Sequence, residues 1–103
     1  MPELILFNYL HRDFGNWKTF GYKLFSNLEQ LSLAEIEQRI RQHLIDTEFF
    51  YPDKVEIKKF RFHRYLDDYS WYEFESVEVV EKRDLKSQKP SISDFIFKLE
   101  KMV

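Results

Sequence analysis

The feature that most constrains this chain is an apolar alternation that breaks phase between Val55 and Val80. Side chains of a strand alternate between its two faces with period two. Val55 and Ile57 therefore share one face of a first run, and Phe60 and Phe62 share the other. In a second run Tyr72 and Phe74 fall on one face, Val77 and Val79 on the opposite one. Laid antiparallel, the two changes coincide: Val55 opposes Val79, Ile57 opposes Val77, Phe60 opposes Phe74, and Phe62 opposes Tyr72. The same register sets Lys59 against Glu75 and Arg61 against Glu73, cross-strand pairs worth roughly 0.2–1 kcal/mol each. Glu56 against Glu78 is the one pairing that disagrees. The pattern predicts a β-hairpin with apolar side chains on both faces and its turn within 65–69.

A hairpin of this kind needs a partner layer, and composition selects it. The 103 residues form one domain, 1–103, large enough for a single core without staples. That core draws on eleven Phe, six Tyr and two Trp beside a single alanine, Ala34. Large rings suit the space between a sheet and one layer of helices better than close helix–helix packing.

The remaining elements follow in order. Leu4 to Leu10 reads as a strand with Ile5, Phe7 and Tyr9 on one face, and turn chemistry begins at His11. Trp17 to Phe25 resumes as a strand with Phe20, Tyr22 and Leu24 alternating against Lys18, Thr19 and Lys23. A hairpin in which Phe7 meets Tyr22 fits, and Gly21 marks a bulge or a close backbone approach. Leu31 to Ile45 predicts a helix capped by Ser32, with Glu35 completing a capping box and Leu31 stapled to Ile36. Leu33, Ile36, Ile40 and Leu44 form its apolar stripe, and Glu35–Arg39 and Glu37–Arg41 are favourable four-apart pairs. Phe49, Phe50 and Tyr51 lie in a connection and close one end of the core. Glu81 to Pro90 is the most linker-like stretch. Ser91 caps a last helix whose stripe is Ile92, Phe95, Ile96, Leu99, Met102 and Val103. The expected fold is a two-layer α+β domain in the order ββαββα, a mainly antiparallel four-stranded sheet carrying two helices.

Two blocks carry a resemblance. Asn16-Trp17-Lys18-Thr19-Phe20-Gly21, Phe25-Ser26-Asn27, Leu31-Ser32-Leu33, Glu35-Ile36 and Leu44-Ile45-Asp46 make up the first, and Trp71 to Glu78 the second. Together they span under half the chain and look like a family of small uncharacterised bacterial proteins. The resemblance implies a compact soluble domain. It assigns no activity and no functional residue.

Charge and residue usage exclude several functions. Sixteen basic against 18 acidic residues, a net of −2, argues against attachment to nucleic acid or membrane by bulk electrostatics. The absence of cysteine removes disulfides, thiol nucleophiles and cysteine-ligated zinc. Leu4 to Leu10 is too short for a membrane span or signal core, so a cytoplasmic address is expected. With only Gly15 and Gly21, no phosphate-cradling loop can form, and no serine sits in a nucleophile elbow.

Three patterns still touch chemistry. Pro52-Asp53 followed by Glu56-Ile57-Lys58 has the letters of a metal-dependent nuclease motif, but that chemistry needs Asp and Glu converging on one metal. Two residues of separation within a strand entrance favour a Pro-Asp turn with solvated charges. His63, Asp67 and Asp68 surround the hairpin turn, where adjacent aspartates ordinarily bond backbone rather than metal. His43 flanks the first helix's C-terminus, where the dipole favours it, and His11 lies in a turn. Lys58 to Tyr65 interleaves bases with aromatics, as in single-strand nucleic-acid platforms. Lys54 to Arg64 holds five Lys or Arg against one Glu, yet Glu73, Glu75, Glu78 and Glu81 neutralise that patch across the expected pair.

No cofactor, metal or catalytic residue is assigned, and the chain reads as a small non-enzymatic interaction or regulatory protein. A single-stranded nucleic-acid binder using 58–65, or a metal-dependent hydrolase, is the alternative. The expected contact surface is Phe60, Phe62, Tyr72, Phe74, Val77, Val79 and Phe97, the apolar groups that two helices on one sheet face leave over. A homodimer or a protein partner would cover it.

Overall fold

The computed structural model describes residues 3–12, 15–57, 71–81 and 89–102. In chain order the elements are β1 (Glu3–Arg12), β2 (Lys18–Ser26), α1 (Leu33–His43), β3 (Phe49–Phe50), β4 (Tyr72–Glu81) and α2 (Ile92–Glu100). A 3₁₀ turn, Pro52–Lys54, follows β3. The sheet runs β2-β1-β4-β3, every pairing antiparallel. Both helices contribute to one core with the same sheet face, which is the expected α+β arrangement. Among the described residues no helix is long and apolar enough to cross a membrane.

β1 is the spine of the sheet. Ile5, Phe7 and Tyr9 point to the core as their alternation requires, and all three are buried. The strand runs further than its turn residues imply. His11 is buried inside it, with its ring 5.2 Å from that of Tyr72, and the strand continues through Arg12.

The first hairpin is displaced by one residue from the expected register. Phe7 opposes Lys23, Ile5 opposes Phe25 and Tyr9 opposes Gly21. A one-residue slip sends every β2 side chain to the other face. The physical reason is Phe25, which this register brings into the core 6.3 Å from Phe7 and 4.6 Å from Phe95. Phe20, Tyr22 and Leu24 are thereby turned away from the helices. Gly21 sits within an unbroken β1–β2 ladder, so of the two readings, a bulge or a close backbone approach, the bulge does not occur.

The bulge is on β4 instead. Asn8 opposes Ser76, but the next β1 residue, Tyr9, opposes Phe74, leaving Glu75 without an opposite number. One extra residue in a strand restores its alternation one step out of phase. Tyr72 and Phe74 therefore share the core face with Val77, and all three are buried there. The phase break of the second run is this bulge, and it does not divide Tyr72, Phe74 and Val77 between two faces.

The neighbours of β4 also differ from the expected hairpin. Val77 opposes Phe7 and Val79 opposes Ile5, both on β1. On the other side β3 supplies Phe49 opposite Glu73 and Phe50 opposite Tyr72. Val55 and Ile57 are buried in the core, beside the 3₁₀ turn rather than in a strand. Phe60, Phe62, the Lys59 and Arg61 pairings and the 65–69 turn lie outside the described residues. Phe50 explains why β3 falls where it does. Its ring is fully buried, 5.7 Å from Phe7, 6.2 Å from Tyr9 and 6.1 Å from Tyr72, so 49–50 enters the sheet rather than capping its end.

Both helices are capped as their sequences dictate. Ser32 Oγ accepts from the Glu35 amide at 3.2 Å, and Ser91 Oγ accepts from those of Ser93 and Asp94 at 3.1 and 3.4 Å. Ile36, Ile40 and Leu44 are buried from α1, and Ile92, Phe95, Ile96, Leu99 and Met102 from α2 and its end. Leu33, assigned to the α1 stripe, is exposed. Glu35–Arg39 and Glu37–Arg41 close at 2.7 and 3.2 Å on the outer surface.

α1 reverses into β3 through a tight turn in which Asp46 and Thr47 have φ of 52° and 58°. Ile45 and Phe49 bracket it with reciprocal backbone bonds of 2.8 and 2.9 Å. Arg41 Nη1 holds the Thr47 carbonyl at 2.9 Å. A β-branched residue in the left-handed region is strained, by about 1–2 kcal/mol. Thr47→Gly keeps the carbonyl that Arg41 uses and relieves the strain, offset in part by the flexibility glycine adds to the unfolded chain. The expected net gain is about 1 kcal/mol, a rise of roughly 5 °C in melting temperature. A melting temperature unchanged or lowered in calorimetry would contradict it.

Candidate interaction surface

The sheet face remote from the helices is where the one-residue slip has its consequence. Leu4, Leu6, Asn8 and Leu10 of β1 meet Ser26, Leu24, Tyr22 and Phe20 of β2 across it. Leu4 and Leu10 are buried and Leu6 and Leu24 half-buried. Phe20 and Tyr22 keep 58 % and 65 % of their surface exposed, and Trp17, just before β2, keeps 74 %. Aromatics of this size on adjacent positions of one strand face are a concentrated apolar surface rather than scattered exposure.

Polar groups border this band. Arg12 grips Glu73 with Nε to Oε2 at 2.7 Å and Nη2 to Oε1 at 3.1 Å, and its Nη1 donates to Asn16 Oδ1 at 2.9 Å. The hydrogen bond to Glu73 raises the Arg12 pKa further above its ordinary value. Glu73 is thus the partner of Arg12 on the neighbouring strand. Asn8 Nδ2 donates to Ser76 Oγ at 3.1 Å and to Glu78 Oε2 at 2.8 Å. The flank along β4 is therefore closed by internal pairs.

β2 forms the other flank and is, among the described residues, an edge strand. At its end the Ser26 amide donates outward to the Pro90 carbonyl at 2.8 Å, and Ser26 forms a parallel bridge with Ser91. Backbone groups alternate along a strand, so Leu24, Tyr22, Phe20 and Lys18 direct theirs outward as Ser26 does. No backbone bond fills those positions among the described residues.

The contact residues expected from sequence divide three ways. Tyr72, Phe74 and Val77 are core, because the bulge turns them toward β1's inner face. Val79 and Phe97 are exposed, at 43 % and 53 %. Val79 lies past the short reach of β3, and Phe97 points outward from α2 beneath the Lys101 amine at 4.3 Å. Phe60 and Phe62 lie outside the described residues. Phe20, Tyr22 and Trp17 were missed as a surface. The available signal was Phe25, which claims the odd positions of β2 for the core and leaves the even ones outside.

The motif letters Asp53 and Glu56 are placed by other forces. Asp53 is exposed on the 3₁₀ turn. Glu56 has φ of 59°, its carboxylate pairs with Lys98 of α2, and its carbonyl accepts from Lys23 Nζ of β2 at 2.8 Å. Glu56 therefore ties the turn to both neighbours. Burial, then the nearby Lys98 charge, lowers the Lys23 pKa. Lys58, His63, Asp67, Asp68 and the whole 58–65 basic-aromatic run belong to 58–70, outside the described residues. Among the described residues no group of three or more His, Asp or Glu is placed to hold a metal ion. His43 is half-buried in the last turn of α1.

Against known proteins, no family model matches the chain, and neither the curated proteins nor the solved structures include a significant match.

The Lys98 hydrogen bond, reinforced by its charge, holds the Glu56 carboxyl below its ordinary value of 4.5. A depressed carboxyl pKa favours the folded chain fully above the ordinary value and loses that contribution as pH falls through the lower one. Lys98→Met should therefore flatten the loss of stability below about pH 4.5. Urea midpoints at pH 7 and pH 3 read this directly; the same drop in both proteins would contradict it.

Proposed function

We propose that this chain is a small non-enzymatic interaction or regulatory protein that acts by surface association, as a homodimer or with another protein. The observation that carries the reading is the pair Phe20 and Tyr22, both mostly exposed on one face of an edge strand. Removing two such rings from water contributes favourably to association on the scale of about 25 cal/mol per Å² of apolar surface, before the entropic cost of binding. Aromatics on an open sheet face also suit stacking by nucleic-acid bases. That use needs a cationic groove along the strand, whereas here Arg12 is neutralised by Glu73 and Glu78 lies on the same face. The charge balance favours a protein surface.

Light scattering over a concentration series tests the reading. Mass should rise toward twice the chain mass with concentration, and Phe20→Ser with Tyr22→Ser should suppress the rise. Because both rings are exposed, the double variant should retain its fold, with a stability change within about 1 kcal/mol. An unchanged concentration dependence in the double variant would remove this surface from consideration, and salt-sensitive binding of single-stranded oligonucleotides would favour the nucleic-acid alternative.

A further inference from the structure

We propose that the open edge of β2 pairs antiparallel with β2 of a second copy, about a two-fold axis at Gly21, so that two sheets become one. The inference rests on the association reading above and specifies its geometry. An aromatic patch alone does not say what covers it, but a strand edge does. Its outward amides and carbonyls are satisfied by another extended backbone.

The boundaries of the edge select the register. β2 starts at Lys18, and beyond Leu24 the edge is taken by the Ser26–Pro90 bond and the Ser26–Ser91 bridge. Among the described residues nothing else bonds this edge from Lys18 to Leu24, a window centred on Gly21. A two-fold axis there uses every open position, with Phe20 opposite the partner's Tyr22 and Lys18 opposite the partner's Leu24. Gly21 meets the partner's Gly21 at a non-hydrogen-bonded position, where backbones approach to about 4.5 Å between Cα atoms.

Side chains agree with that register. Phe20 and the partner's Tyr22 stack across the new pairing on the open face, giving one continuous aromatic cluster. The strand's charges are Lys18 and Lys23, and neither opposes a lysine; Lys23 falls opposite the partner's Thr19. The Lys23 amine is drawn to the Glu56 carbonyl at 2.8 Å, away from the edge it would otherwise guard. A self-pairing strand needs this kind of complementarity, because every contact of one residue with another recurs in the reverse sense across the axis.

Four variants test the geometry in a chain with no native cysteine. Gly21→Cys should form a disulfide-linked dimer on mild oxidation, because the expected Cα separation of about 4.5 Å lies within the bonding range. Gly21 has no positive φ, so its backbone accepts a side chain. Tyr22→Pro removes an outward N–H and leaves the β1 ladder intact, so circular dichroism should be unchanged while dimer dissociation rises roughly 10- to 100-fold for the two symmetric bonds lost. A dimer that resists Tyr22→Pro, or one that cross-links with Thr19→Cys mixed with Lys23→Cys in neither order, overturns the β2 pairing and leaves association through another surface standing. A strict monomer at every concentration overturns both.

Discussion

All layers of this fold meet at the ring of Phe7. It lies 4.8 Å from Phe95 of α2, 5.4 Å from Phe74 of β4, 5.7 Å from Phe50 of β3 and 6.3 Å from Phe25 of β2. Edge-to-face and offset contacts between rings add about 0.5–1.5 kcal/mol each beyond the area they bury. The geometry of those contacts is demanding, and it decides several features that a simple alternation of apolar residues does not. The β1–β2 register, the position of β3 and the bulge of β4 each deliver one ring to this cluster. A chain with so many aromatics and one alanine cannot close its core by bringing helices together, so it closes it around a ring.

The fold class was legible because it depends on local signals that agree with one another. Ser32 and Ser91 announce helix starts, the stripes from Ile36 and Ile92 match a period of 3.6, and Ile5, Phe7 and Tyr9 match a period of two. What was not legible was pairing. The apolar pairs of 55–62 and 72–79 complement each other on paper, but β1 offers β4 the same complement with Phe7 already buried at the centre. Pairing between distant segments is set by which rings can share a core, and that is a property of three dimensions. The phase break in β4 was visible in the sequence; its meaning was not. Two faces and one bulge produce the same string of letters, and only the partner strand distinguishes them.

The candidate surface was hidden by the same ambiguity. β2 carries apolar residues of both parities, with Phe20, Tyr22 and Leu24 on one side and Phe25 on the other. Counting favours burying three and exposing one. The structure instead buries Phe25, which reaches Phe7 and Phe95, and turns the three to the face away from α1 and α2, where Phe20 and Tyr22 are exposed and Leu24 half-buried. The inner face of β2 then holds Gly21 and Lys23, residues that a core would not ordinarily select. Lys23 is accommodated by running its stem past the Phe25 ring, amine 5.5 Å from the centroid, to the Glu56 carbonyl.

That accommodation bears on how the edge behaves. Soluble proteins protect edge strands with proline, with bulges, or with a lysine whose charge projects across the hydrogen-bonding edge. β2 is nine residues long, contains no proline and pairs with β1 without a bulge. Its central lysine is held on the helix side by Glu56, and Lys98 adds a second tie to the same residue. Among the described residues the Pro90 carbonyl on Ser26 covers the end of the strand and leaves the aromatic middle. An edge with these features beside two exposed rings is the kind that the pairing proposed above would use. The polar rim on the opposite flank, closed by Arg12–Glu73 and Asn8–Glu78, shows that the same sheet satisfies its groups internally where β4 supplies partners.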